Sequence, residues 1–238
     1  CRDLQLDALA KIVDGKRLIH CHSYRQDEIL MLMRLCEEFN FRVNTFTHIL
    51  EGYKVADEMA THGASALGFS DWWGYKFEVI DAIPYNGYLL WDRGVNTGFN
   101  SDDSELARRL NTEAAKVMKY GNVSDVEALK FVTINPAIQL GIQNRVGSLE
   151  VGKDADVVIW SGSPLSSLSI CEKTWVDGRR YFDRDDDVKR RADLNTMRAT
   201  LIQKILDSGE EGEGGGDRKR MWPRHDIYCG FHQDEEEE

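Results

Sequence analysis

Four times between Arg17 and Lys119 a short apolar run is followed by a helical stretch, and this alternation limits the fold more than any other feature of the chain. Arg17 to Cys21, Arg42 to His48, Ala64 to Phe69 and Val95 to Asn100 read as strands. Gln26 to Phe39 reads as a helix, because Ile29, Leu32, Met33, Cys36 and Phe39 recur at three- and four-residue spacing. Tyr53 to His62 reads as a second helix. A third runs from Pro84 through Trp91 and is ended by Gly94, and a fourth runs from Ser104 to Lys119 and is stopped by Gly121. Trp72 to Pro84 is aromatic and irregular. Such alternation implies a parallel sheet with crossover helices. The pattern alone leaves half of a doubly wound sheet and half of a barrel equally open.

The chain has 238 residues, enough for one large or two small domains. A helix over residues 3–13 precedes the first strand. Short helices near Val126 to Phe131 and Pro136 to Leu140 follow the fourth unit. A strand pair is expected from Lys173 to Phe182, with Asp177-Gly178 as its turn. Asp185 to Leu206 reads as a long helix with Leu194, Met197, Leu201 and Ile205 as its apolar stripe. Residues 208–217 are low in complexity, and Asp234 to Glu238 is acidic.

The net charge of -11, with one dense basic cluster at Arg218-Lys219-Arg220, argues against a nucleic-acid partner. The five cysteines are widely separated and suggest free thiols rather than a disulfide framework or a zinc knuckle. No run of 18 apolar residues is present, so no membrane partner is expected. The chain opens on Cys1 and goes almost directly into a helical pattern, which reads as a sequence cut from something longer; the compartment is left undetermined.

The stretch Asn135 to Trp160, NPAIQLGIQNRVGSLEVGKDADVVIW, is the most specific string. By pattern it is a helix opened by Pro136, a hairpin through Gly147, Gly152 and Asp154, and a buried strand from Ala155 to Trp160. Thr133, Asn135, Pro136, Ala137, Gly147, Leu149, Gly152, Lys153, Asp154, Ala155 and Asp156 together resemble the C-terminal part of the amidohydrolase superfamily, in its imidazolonepropionase-like group. The resemblance covers roughly residues 15–185. It implies an α/β chain: residues 1–145 as strands five to eight of a (β/α)8 TIM-type barrel, 146–183 as part of a small β-domain, and 184–238 as a C-terminal helix with a flexible acidic tail.

Functional residues of parallel barrels collect at the C-terminal ends of strands. Three of the strands end in metal-binding residue types: His20 and His22, then His48, then Asp102 and Asp103. The resemblance implies His20 as the fifth-strand metal ligand, His48 as the sixth-strand ligand, and Asp102 as the eighth-strand ligand and proton shuttle. His22, two residues past His20 and on the same strand face, is expected to touch substrate or a second metal. The cofactor implied is a divalent metal, zinc first, one ion or two, with iron or manganese as options. The first-strand His-x-His pair of the superfamily has no counterpart except His20-Cys21-His22, which lies too close to the C-terminal hairpin to play that part.

Plainer readings stand beside these. A lone histidine at a strand end is ordinarily a packing or capping residue. Ser101 to Glu105 is also a good helix N-cap, and one aspartate can cap while the other binds. His62 reads as a helix-end residue, and His225 and His232 as surface residues. Arg108 and Arg109 read as a solvated helix face or a salt bridge, with substrate-carboxylate binding as the alternative. Trp72-Trp73-Gly74-Tyr75-Lys76 divides evenly between pocket lining and packing.

The expected activity is metal-dependent hydrolysis of a non-peptide C–N bond in a small-molecule substrate, an amide or a cyclic amide or amidine. The alternatives are a dipeptidase or acyl-amino-acid hydrolase of the same superfamily, and a catalytically incomplete homologue kept for binding. Homo-oligomerisation of the full-length protein stays open. Half a barrel exposes two sheet edges, so residues 1–238 alone are expected to self-associate and to be catalytically weak.

Overall fold

In the computed structural model, which describes residues 3–72 and 74–208, the four expected strands pair in parallel in the order β1-β2-β3-β4. They are β1 (His20–His22), β2 (Thr45–Thr47), β3 (Ser65–Gly68) and β4 (Thr97–Phe99). Each is shorter than its apolar run, although flanking residues still bond across the sheet, as the Asn44 N–H does to the Ile19 carbonyl at 3.0 Å. Between them lie α2 (Gln26–Glu38), α3 (Ala56–His62) and α4 (Asn86–Asp92), with α1 (Leu4–Val13) in front and α5 (Leu110–Gly121) behind. The helix expected from Ser104 begins as a 3-10 turn, Leu106–Arg109, before α5 takes over.

The register decides which face each strand residue presents. Cys21, Phe46 and Ala66 occupy one row across β1, β2 and β3. All three pack in the core formed by Ile29, Met33 and Cys36 of α2 with Val55, Ala56 and Met59 at α3. Side chains alternate along a strand, so the neighbouring rows His20–Thr45–Ser65 and His22–Thr47 face the opposite side. The sheet therefore has an apolar helix side and a polar inner side that carries the histidines.

The Asn-Pro-Ala string forms α7 (Ile134–Gln139), after α6 (Asp125–Lys130), whose N-cap Ser124 accepts from the Glu127 backbone. It docks under the N-terminal end of the sheet. Asn135 Nδ2 donates to the Thr97 carbonyl at 2.8 Å, and Gln139 Nε2 donates to the Ala66 and Asn96 carbonyls at 3.1 Å each. Gly147 lies against this helix at φ 93°, where a Cβ would come within 2.9 Å of the Ala137 Cβ and 3.0 Å of the Ile134 Cα.

The hairpin expected through Gly147, Gly152 and Asp154 does not pair as strands. That segment is a series of turns, held by the Asp154 N–H donating to the Arg145 carbonyl and by an Arg145–Asp154 ion pair at 2.7 Å. The ladder begins with β5 (Val157–Trp160), which pairs antiparallel with β6 (Cys171–Val176) and through it with β7 (Arg179–Asp183). Asp177-Gly178 makes the expected turn, and Asp156 fixes it by accepting from the Asp177 N–H at 2.9 Å. Both sheets belong to one compact unit, Cys1–Arg184. The second unit holds α8 (Arg184–Ser208), a helix whose Asp187 carboxylate receives Arg190 at 2.9 Å and Arg191 at 2.7 Å. The low-complexity and acidic stretches, with His225 and His232, lie outside the described residues.

Candidate active site

Strands β1 and β2 end at the same height, since His22 pairs with Thr47, and His48 follows at once. The outcome is a pair of facing imidazoles: His22 Nδ1 stands 2.6 Å from His48 Nε2, with ring centroids 4.7 Å apart. At that distance one ring donates and the other accepts. His20 lies two residues lower on the same strand face, about 6–7 Å along β1. Its side chain is exposed and has no hydrogen bond to His48 or Asp102. The structure thus brings His22, and not His20, to His48.

His48 and Asp102 share an unusual backbone, with φ values of 49° and 46°. Among the described residues three other non-glycine residues have positive φ, and each has a local reason. Asn40 follows the end of α2, Asn122 caps α5, and Asp177 sits in the β6–β7 turn. His48 and Asp102 neither end a helix nor close a hairpin. Such conformations cost about 1–3 kcal/mol and persist where surroundings over-determine them. At His48 those surroundings are visible. Buried Asn86 donates to the Ile49 carbonyl at 3.0 Å and accepts from the Tyr53 N–H at 2.9 Å. Buried Glu51 accepts from the Gln26 N–H at 3.1 Å at the start of α2.

The two neighbouring aspartates divide their work. Asp103 Oδ1 accepts from the Glu105 and Leu106 N–H groups, both at 2.8 Å, and caps the turn that follows. Asp102 is held by Asn100 Nδ2 at 2.9 Å and remains exposed. Its carboxylate acts on His48. Burial pushes the His48 pKa down, and the neighbouring His22 and Lys76 push it the same way. Asp102 and the Ser23 backbone oppose them without reversing the shift, so the ring is neutral with a lone pair to offer. His48 Nδ1 is buried without a hydrogen-bond partner.

An aromatic wall stands over the pair. Tyr24 stacks on His48 at 4.3 Å and 18°, Trp72 stacks on Phe69 at 4.4 Å, and Tyr75 meets Trp72 edge-on at 5.7 Å. Burial raises the Tyr75 pKa, and the Tyr24 hydroxyl and the Asp102 carboxylate raise it further. Behind this wall, at the end of β3, Lys116 Nζ reaches Asp71 at 2.8 Å and buried Glu113 at 2.9 Å, while Ser70 donates to Glu113.

Sequence reasoning passed over Tyr24 and Asn86. Tyr24 had a usable signal, since it continues the alternation His20, His22, Tyr24. Asn86 had none. His62 is structural: it ends α3, accepts from the Val43 N–H at 3.2 Å and meets Glu37 at 2.8 Å. Arg108 is exposed and paired with Glu105. A groove lined by Leu30, Met33, Glu37 and Thr61 lies on the helix side, away from the strand ends.

The donor set suits a divalent metal in part. Two neutral-capable imidazoles facing one another beside a carboxylate is the right chemistry. Their 2.6 Å separation is that of a hydrogen bond, whereas two ligands at about 2.0–2.1 Å from one tetrahedral metal stand about 3.3–3.4 Å apart. An opening of less than about 1 Å would admit the ion. Among the described residues no three His, Cys, Asp or Glu side chains are already grouped as a metal site. The fit is therefore to the two-histidine portion of a site.

A parallel β/α sheet with histidines and an aspartate at its C-terminal edge, plugged below by α7 and followed by a small antiparallel sheet, is the architecture of part of a TIM barrel with a small β-domain. Residues 88–184 match the amidohydrolase family model. The amidohydrolase tasK of Hapsidospora irregularis is 32% identical over 186 residues, which are 76% of this chain and 19% of that protein. The imidazolonepropionase of Thermoplasma volcanium is 34% identical over 121 residues, 48% of this chain and 30% of that one. The crystal structure of an amidohydrolase from Thermotoga maritima superposes with a TM-score of 0.70 at 32% identity, covering 77% of this chain and 48% of that one. The chain spans about half the length of that structure and under a third of these two relatives.

Proposed function

We propose that the protein hydrolyses a C–N bond in a small amide or cyclic amide, with a divalent metal held by His22 and His48 and approached by Asp102. The observation that supports it most is the convergence of two imidazole nitrogens at adjacent strand ends, one on a backbone at φ 49°. When bound, the metal would polarise the scissile carbonyl and make a water easier to deprotonate. Asp102 takes a proton from the attacking water and returns one to the leaving nitrogen as the C–N bond breaks. Water is the only co-reactant, so the products are an acid and an amine, or one ring-opened molecule. Tyr24 and Trp72 shield the reacting centre from bulk solvent. This reading moves the β1 ligand from His20 to His22.

The test is zinc affinity by equilibrium dialysis, together with hydrolysis of a panel of N-acyl and cyclic amides. His22→Ala and His48→Ala are each expected to lower zinc affinity by at least about tenfold and to reduce kcat/KM by about a thousandfold or more. His20→Ala is expected to stay within a few-fold of the unmodified protein. Zinc binding and hydrolysis that survive both His22→Ala and His48→Ala would overturn the assignment.

A dipeptidase or acyl-amino-acid hydrolase is the second reading, favoured by one specific observation. Arg108, one of the two arginines that the sequence offered for a substrate carboxylate, is paired with Glu105, and a different cation faces the site.

A further inference from the structure

Lys76 is the cation in question. Its Nζ lies 3.6 Å from the centroid of Tyr24 and 5.5 Å from that of Tyr75. Tyr24 is the ring stacked on His48 at 4.3 Å. Lys76 is half-buried, and its Nζ forms no ion pair and no hydrogen bond among the described residues, while its backbone carbonyl accepts from the Val79 N–H. Other lysines of this unit contrast with it: Lys54 meets Asp81 at 2.5 Å, Lys116 meets Asp71 at 2.8 Å, and Lys153 meets Glu150 at 3.2 Å. An ammonium taken partly out of water and set on aromatic faces gains only part of what a counter-ion gives. It keeps N–H donors free for an anion arriving from the inner side of the sheet.

The local sequence explains the placement. The aromatic loop after β3 packs through Phe69, Trp72 and Tyr75, and that packing turns Lys76 back over Tyr24 instead of out to solvent. Asp102 is close enough to act on Tyr75 and His48, yet it does not pair with Lys76. The ammonium thus stays free above Tyr24, while the Asp102 carboxylate is held by Asn100.

We propose that Lys76, seated on Tyr24 and Tyr75, is the anion subsite of the candidate active site, and that the substrate is an amide whose leaving amine carries a carboxylate, as in an N-acyl amino acid or a dipeptide. The proposal rests on the hydrolase reading and deepens it. Lys76 is a binding residue here: it holds the carboxylate so that the neighbouring amide carbon lies at the histidine pair. Arg108 is excluded from this part by its pairing with Glu105.

The experiment compares N-acetyl-L-alanine with its neutral carboxamide. The readouts are the ratio of kcat/KM for acid over carboxamide, and equilibrium binding of each by NMR saturation transfer. The protein expressed from its own gene, with zinc bound, is expected to prefer the acid. Lys76→Met is expected to lower that ratio by about 10- to 100-fold, the worth of a charge-assisted hydrogen bond. Lys76→Arg is expected to recover most of it, which separates loss of charge from loss of fold. A ratio unchanged by Lys76→Met overturns the subsite, even if both compounds are hydrolysed and the hydrolase reading stands. If neither compound is hydrolysed, that particular substrate class falls, and the binding arm still decides the subsite. Weaker binding of the acid by Lys76→Met then supports it, and equal binding overturns it.

Discussion

Single side chains set the geometry of the strand ends, and the most consequential is one with no chemistry of its own. Asn86, buried on α4, spans the loop after His48 by donating to Ile49 and accepting from Tyr53. Replacing it by alanine leaves the Tyr53 N–H unpaired, at a cost of about 1–3 kcal/mol, while the Ile49 carbonyl keeps the Gly52 N–H. Asn86→Ala is therefore expected to destabilise the fold by about 2 kcal/mol in urea denaturation, and a loss under about 0.5 kcal/mol would refute its bridging role. The candidate ligands show how far residue types can be read without coordinates. Histidines and an aspartate at three strand ends were visible in the sequence, and so was the capping role open to one of Asp102 and Asp103. Which of His20 and His22 meets His48 was not visible. Both lie on one strand face, and only the cross-strand register, with β1 ending at His22 opposite Thr47, separates them by height.

Elements hold these residues through contacts that sequence periodicity does not encode. Helix α5 is tied to the end of β3 by Lys116, which bonds both Asp71 and buried Glu113. Burial by itself would lower the Lys116 pKa, but the hydrogen bonds to Asp71 and Glu113 outweigh it and raise the value. A raised folded-state pKa favours folding at pH below the unfolded value, about 10.4, and that contribution is lost as pH climbs through the higher folded value. The stability gap between the unmodified protein and Lys116→Met is thus expected to be level from pH 7 to 10 and to shrink above that. Denaturation curves at pH 8, 10 and 11 check it, and a gap that widens with pH would contradict it. Helix α7 makes a different point. Its Asn-Pro-Ala string was the most specific signal in the sequence, yet its side chains bond carbonyls at the N-terminal end of the sheet. Its diagnostic value comes from closing the bottom of the barrel rather than from chemistry. The hairpin read from Gly147 to Asp154 was a real turn signal without a ladder, because glycines mark where the chain reverses and not whether the flanks pair.

For the whole molecule the open sheet is the governing fact, since β1 and β4 each have one neighbour and leave an unpaired edge. Residues 1–238 produced alone are expected to elute from size-exclusion chromatography with light scattering as dimers or larger species. A homogeneous 27.2 kDa monomer would count against this. Strand and helix order, the parallel arrangement, the β6–β7 turn at Asp177-Gly178 and the amidohydrolase resemblance were all fixed by local pattern. Propensity, periodicity and turn chemistry act over a few residues, so the chain carries them wherever it folds. The meeting of His22 with His48 and the placing of Lys76 above Tyr24 join residues 26 and 52 positions apart in the chain, and the strained backbones at His48 and Asp102 stand 54 positions apart. Contacts of that range depend on register, loop packing and the heights at which strands end, and those were decided only when the sheet and its helices assembled.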